Sequence, residues 1–210
     1  MFKSKPVRWL QKVIVILIIR PILNVLVGIN IKNQHRVPKD GPMIVVANHN
    51  SHMDTAVLMA LFPLNVLYKV RPIAASDYWL KNRAIGWFAT HIVNIIPIDR
   101  RRKEKQNDPL SPIADALTNG DIVIMFPEGS RGEPEQMSEF KSGVAHLSRR
   151  CPDVPVVPVF LRGMGKTLPR GTSLFLPFFC DVIFGQAFTW NGSKQAFMNR
   201  IKTQFDLLAQ

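Results

Sequence analysis

Cysteine is nearly absent: Cys151 and Cys180 are the only two among 210 residues. Their spacing is not that of a metal site. So few thiols read most simply as a chain from a reducing compartment, with one disulfide left open. Acidic residues are scarce as well. Lysine and arginine number 27 against 15 aspartates and glutamates, a net charge of +12. Residues 1–39 hold Lys3, Lys5, Arg8, Lys12, Arg20, Lys32, Arg36 and Lys39, and no acid. Such an excess calls for an anionic partner: membrane lipid, nucleic acid, a phosphorylated substrate or an acidic carrier protein. Nucleic acid is the weakest of these, since the basic residues are not interleaved with aromatics and no nucleic-acid-binding motif is present. No internal repeat or low-complexity tract occurs. The length suits one domain with an appendage, and the apolar content is high enough for a real core.

A long unbroken apolar run is also missing. "VIVILIIRPILNVLVGINI" (13–31) comes nearest, but its apolar piece before Arg20 is seven residues. That is roughly 10 Å of helix against a hydrocarbon core of about 30 Å. A full span would put Arg20 and Pro21 near the bilayer centre, at about 2.5–3.5 kcal/mol for the arginine. No small-residue cleavage site follows, so a signal peptide is disfavoured. Residues 1–34 are therefore expected to be a retained membrane-anchoring segment. It would lie in one leaflet or bend back at Arg20-Pro21, with lysines at the headgroups. A buried helix of the soluble core and a single span stay open as alternatives.

Residues 35–210 read as one domain of alternating strands and helices. Strands are expected at 43–47, 66–75, 92–98, 121–126 and 154–161. Helices are expected from Ser51 onward, at 77–91, at 111–120 with Ser111 as N-cap and Gly120 past the end, and at 141–150. This alternation predicts an α/β fold, a mixed and largely parallel sheet flanked by helices. "TSLFLP" and "CDVIFG" look like two neighbouring antiparallel strands. Ser193 should cap a last helix with Phe197, Ile201, Phe205 and Leu208 on one stripe.

Three presumed strand ends carry chemistry. "ANHNSHMDT" (47–55) offers His49 and Asp54. On one continuous helix these would point about 140° apart. They meet only if His49 is in the loop and Asp54 in the helix's first turn, as an N-capping Ser51 would arrange. Asp54 could then fix the imidazole tautomer and leave the other nitrogen as a base. A capping box in which Asp54 only bonds the Ser51 backbone remains open. So does metal binding by His49 and His52, although no third ligand has clear spacing and H-E-x-x-H is absent. "MFPEGSRGEPEQMSEFKSG" (125–143) places Glu128 and Arg131 around Gly129 and Ser130, a tight turn with an arginine suited to phosphate. Ser130 lacks a G-x-S-x-G setting. "PIDRRRK" places Arg100 just past a strand.

Together these blocks resemble the glycerolipid acyltransferase family, specifically the 1-acylglycerol-3-phosphate (lysophosphatidate) acyltransferases. "NHNSHMD" is similar to the family's H-x4-D block, "FPEGSRG" to its F-P-E-G-[TS]-R block, and "FKSGVAHL" and "VPVVPV" follow. The resemblance covers roughly residues 35–190. It implies transfer of a fatty acyl group from acyl-CoA or acyl-carrier protein to the free hydroxyl of 1-acylglycerol-3-phosphate, giving phosphatidate at the cytoplasmic face of the inner or plasma membrane. It implies His49 as general base and Asp54 as its partner. Glu128, Gly129 and Arg131 would hold the glycerol-phosphate, and Arg100 its phosphate. No metal or organic cofactor is implied. Asn94 and Pro97 depart from the pattern, where a glycine and a larger apolar residue are usual. Another lyso-lipid or glycerol-3-phosphate as acceptor, and a non-catalytic basic membrane-binding module, are the alternatives.

Overall fold

In a computed structural model, described at residues 5–51, 53–79, 81–99, 108–130, 137–164 and 178–210, seven strands form one sheet. They are β1 (Val27–Lys32), β2 (Met43–Ala47), β3 (Val70–Ala75), β4 (Ile96–Ile98), β5 (Ile122–Met125), β6 (Val156–Arg162) and β7 (Phe178–Phe184). Their order is β1-β7-β6-β2-β5-β3-β4. Every neighbouring pair is parallel except β6 with β7. The sheet is thus mixed and largely parallel, as the alternating pattern predicts.

β-branched side chains dominate the central strands, because a parallel sheet covered on both faces needs apolar residues pointing both ways. β2 shows this directly. Val45 and Ala47 enter a core with Val57, Leu58 and Leu67, whereas Ile44 and Val46 enter the opposite one with Ile113, Leu117 and Phe197. The first core lies under α3 (Asp54–Leu61) and the N-terminal segment. The second lies under α6 (Ser111–Thr118), α7 (Gly143–Arg150) and α8 (Lys194–Ala209). Ser193 caps α8 by accepting from the Ala196 amide, and Phe197, Ile201 and Phe205 are fully buried on its inner stripe, with Leu208 half-buried.

Several boundaries differ from the sequence expectation. The strand expected from residue 66 begins at Val70, after a short 3-10 turn. The helix expected at 77–91 is broken into α4 (Ser76–Trp79) and α5 (Arg83–Phe88). Asn82 restarts the chain by accepting from the Ala84 and Ile85 amides, and a π-helical stretch, Ala89–Val93, follows. That stretch takes up the first residues of the strand expected at 92–98. α6 is preceded by a turn in which Asp108, not Ser111, accepts a backbone amide, that of Leu110. β7 pairs with β6 and β1; "TSLFLP" lies outside the described residues.

The N-terminal segment is built differently from a free anchor. α1 (Lys5–Ile14), a π-helical stretch (Val15–Ile19) and α2 (Arg20–Leu26) run into β1, the sheet's edge strand. The wider winding precedes Pro21, where a helix loses an amide donor. Residues 27–32, grouped by sequence with the anchoring segment, pair with β7. Val15 and Leu23 are buried in the first core, while Trp9, Leu17 and Val25 on the far side are 67%, 68% and 79% exposed. Arg20 faces protein: its Nε donates to the Ala60 carbonyl at 3.1 Å and its Nη2 to that of Phe62 at 3.2 Å. It thereby caps the C-terminus of α3, where unpaired carbonyls and the negative dipole end favour a cation.

Removing Phe205, which meets Phe140 edge-on with ring centres 4.8 Å apart, should test the second core. Phe205→Ala is expected to cost about 3–5 kcal/mol in urea unfolding. Leu207→Ala, at an exposed position of the same helix, should stay within about 0.5 kcal/mol.

Candidate active site

β2 and β5 are parallel neighbours, with Val46 opposite Met125, so the loops after them leave the sheet side by side. Their onward helices pack on opposite faces, α3 in the first core and α7 in the second. The chain direction across the sheet also reverses here, since β2 continues to β3 beyond β5 and β5 continues to β6 beyond β2, over opposite faces. Such a point opens a crevice at the carboxyl ends of the strands.

The first loop is clamped where it leaves β2. The buried Asn48 side chain donates from Nδ2 to the Leu161 carbonyl at 2.9 Å and accepts the Leu161 amide at Oδ1 at 2.7 Å. This amide-to-backbone pairing ties the loop to β6. Asn48 was not singled out by sequence reasoning; its position at the strand end was the available signal.

Asp54 is fully buried and opens α3. Its Oδ2 accepts from the Asn50 amide at 2.7 Å and the Ser51 amide at 2.8 Å, and lies 2.9 Å from His49 Nδ1. The dyad and the capping arrangement, alternatives in the sequence, therefore coexist on one oxygen. The expected cap is corrected in detail. Ser51 Oγ accepts from the Met53 amide, and a tight turn from Ser51 precedes a helix whose first residue is Asp54, not its third. Burial pushes the Asp54 carboxyl up, while His49 and the two amides pull it down. A proton on Nδ1 pointing at this oxygen sets the tautomer that leaves Nε2 with a lone pair. Nδ1 being taken up in this way, His49 has only Nε2 to offer a metal. His52 lies outside the described residues.

The second loop reaches His49 twice. Phe126 stacks on the imidazole, ring centres 4.2 Å apart and planes inclined by 20°. Glu128 accepts the His49 amide at Oε1, 2.9 Å, and the Ser138 amide at Oε2, 3.1 Å. Burial raises the Glu128 carboxyl, and the two amides oppose this. Gly129 has φ +75°, and a Cβ there would stand 2.6 Å from Lys141 Nζ. The left-handed backbone favours glycine here, and the flexible end of Lys141 lies over it. Lys141, noted only within "FKSGVAHL", is thus brought to this turn. Arg131 and Arg100 lie outside the described residues. Asn94, where a glycine was expected, has φ +67°; its Nδ2 donates to the Tyr68 and Val70 carbonyls, both at 3.0 Å. Asparagine tolerates the left-handed region and here adds an anchor that glycine lacks.

Comparison with known proteins gives one pattern. A 1-acyl-sn-glycerol-3-phosphate acyltransferase from Brassica napus chloroplasts is 32% identical over 133 residues, 63% of this chain and 36% of that protein. The human 1-acyl-sn-glycerol-3-phosphate acyltransferase alpha is 30% identical over 138 residues, 64% of this chain and 46% of its own length. The chain thus spans less than half the length of these relatives. The crystal structure of the 1-acyl-sn-glycerophosphate acyltransferase PlsC from Thermotoga maritima superposes with a TM-score of 0.80 at 20% identity, covering 100% of this chain and 82% of that one, and so shares its fold. The family model described as Acyltransferase matches residues 28–162, from the edge strand through β6 and across both site loops. The chain belongs to the acyltransferase family.

Proposed function

We propose that the chain transfers a fatty acyl group from an acyl thioester, acyl-CoA or acyl-carrier protein, to the free hydroxyl of 1-acylglycerol-3-phosphate, yielding phosphatidate. One observation carries this reading: an imidazole held at Nδ1 by a buried carboxylate, with its Nε2 unengaged by the described residues. Nε2 takes the hydroxyl proton as the oxygen attacks the thioester carbonyl. The tetrahedral intermediate then collapses, the carbon–sulfur bond breaks, and the imidazolium returns its proton to the leaving thiolate. Asp54 stabilises the imidazolium between these steps. The acceptor is itself the nucleophile, so no acyl-enzyme is needed. The relatives' names, which specify the 1-acyl-sn-glycerol-3-phosphate acceptor, support that substrate. Arg131 and Arg100 are proposed to contact its phosphate, the guanidinium being suited to bidentate binding.

The site is proposed to work at the cytoplasmic face of a membrane. No helix among the described residues is long and apolar enough to cross one. The apolar side of the N-terminal segment is nevertheless open, and α1 is joined to the π-helical stretch after α5 through Gln11, which donates to the Ile92 carbonyl. α5 exposes Ile85, Trp87 and Phe88 in turn. Exposed apolar side chains beside Lys5, Lys81 and Arg83 suit an anionic bilayer surface.

His49→Ala should lower turnover by about 10²–10⁴-fold or more while the melting transition is kept. His52→Ala should be milder. Normal turnover by a folded His49→Ala protein would sink the mechanism. Asp54→Asn is a sharper test. Among the described residues Oδ1 of Asp54 has no hydrogen-bond partner, so an amide nitrogen can take its place while the remaining oxygen keeps its three neighbours. Activity should therefore fall far more than stability; the opposite result would leave Asp54 a cap alone.

Replacing Trp9, Leu17 and Val25 together with serine should reduce vesicle binding measured by cosedimentation, with turnover of dispersed short-chain substrate retained. High salt alone should leave much of the unaltered protein bound, because salt screens the basic residues but not apolar burial. Complete release by salt would count against the apolar face. These substitutions are preferable to deleting residues 1–31, which would remove most of β1 and the buried Val15 and Leu23.

A further inference from the structure

We infer that Glu128 is a positioning residue, a carboxylate staple that sets the base against the loop after β5, and that it does not contact the substrate. The inference deepens, and rests on, the acyl-transfer reading of this site. Glu128 is only 2% exposed, and both of its oxygens are engaged by backbone amides of different loops. A carboxylate would also repel the phosphate of the acceptor at close range. Its partners define a different task. Oε1 holds the amide of His49, so the carboxylate of one loop determines where the base leaves the other. Oε2 holds the amide of Ser138, so the same carboxylate also fixes a backbone group ten residues further along its own chain. The Lys141 amide donates to the Pro127 carbonyl at 2.9 Å and adds a second tie beside it. Phe126, two positions before Glu128, bears on the His49 ring. Ring and backbone of the base are thus both referred to the second loop. Breaking the staple should let His49 shift relative to the loop after β5 without removing any group that binds the acceptor.

Glu128→Gln and Glu128→Asp test this. Glutamine has one acceptor oxygen, so it can serve His49 or Ser138 but turns an N–H donor toward the other. Aspartate keeps the charge but is one methylene shorter and cannot span both amides. For both variants kcat should fall about 10²-fold, the scale of a 1 Å misplacement. KM for lysophosphatidate should stay within about threefold, and the loss should be the same with an unphosphorylated monoacylglycerol acceptor. In ¹⁵N-labelled protein, the amide signals of His49 and Ser138 should move in both variants. A raised KM confined to the phosphorylated acceptor, with kcat preserved, would place Glu128 on the substrate and overturn the inference. So would unmoved His49 and Ser138 amides, a readout that needs no activity and serves for whichever variant folds. If the unaltered protein turns over neither acceptor with acyl-CoA or acyl-carrier protein, the acyl-transfer reading fails, and the amide shifts still decide whether the staple exists.

Discussion

A single carboxylate oxygen, Oδ2 of Asp54, organises the site. It is removed from water, and a buried anion is tolerated only where donors surround it. The donors here are two successive loop amides and an imidazole. The same three bonds that make the burial acceptable also shape the turn before α3, bring the His49 ring onto the carboxylate and choose its tautomer. Structure and chemistry are not separable at this residue. A carboxylate that merely capped the helix would leave the imidazole free to turn. One that merely oriented the imidazole would leave two buried amides unpaired.

The surroundings follow the same logic at longer range. The start of the His49 loop is tied in two directions: Asn48 to β6, and the His49 amide to the loop after β5 through Glu128. The helix carrying Asp54 is capped at its far end by Arg20 of the N-terminal segment. The base is thus fixed by contacts reaching three distant parts of the chain, all bearing on buried backbone groups. Leu161 is itself held by strand pairing, and Ala60 and Phe62 belong to the end of a packed helix, so the anchoring points are already fixed. The arrangement places a mobile aromatic side chain to within hydrogen-bond tolerance, as general base catalysis demands.

The N-terminal segment has a double nature for a physical reason. One side of a helix can enter a core while the other stays apolar toward its surroundings. Val15 and Leu23 are eight residues apart on the inner side, and Trp9, Leu17 and Val25 are spaced by eight on the outer. Eight residues of α-helix overshoot two full turns by about 80°, and the wider π-helical stretch Val15–Ile19, which turns less per residue, reduces that drift, so both stripes persist along the segment. An apolar sequence with no charge on either stripe reads equally as anchor or as core, and here it contributes to the protein core on one side while leaving the other uncovered.

Much of this was legible in the sequence. β-branched runs between helical segments specified buried parallel strands, and the five-residue separation of His49 and Asp54 required a loop followed by a helix start. These are local matters, set by period and by turn geometry, and they emerged nearly as read. The breaks were less visible: the restart at Asn82 falls in Lys81-Asn82-Arg83, which reads equally as an exposed turn of one continuous helix, and the π-helical stretch Ala89–Val93 contains neither proline nor glycine to mark it. What only the tertiary structure decided is which distant groups meet. Glu128 lies 79 residues from His49, Leu161 lies 113 from Asn48, and Ala60 lies 40 from Arg20. Such pairings follow from strand order, which places β2 between β5 and β6. Strand order is the outcome of burying two helical layers on one sheet, and no local pattern of residues encodes it. The residue types for a base, its partner and an adjacent carboxylate were therefore evident from the chain, whereas the backbone amides that Glu128 serves were decided by the fold.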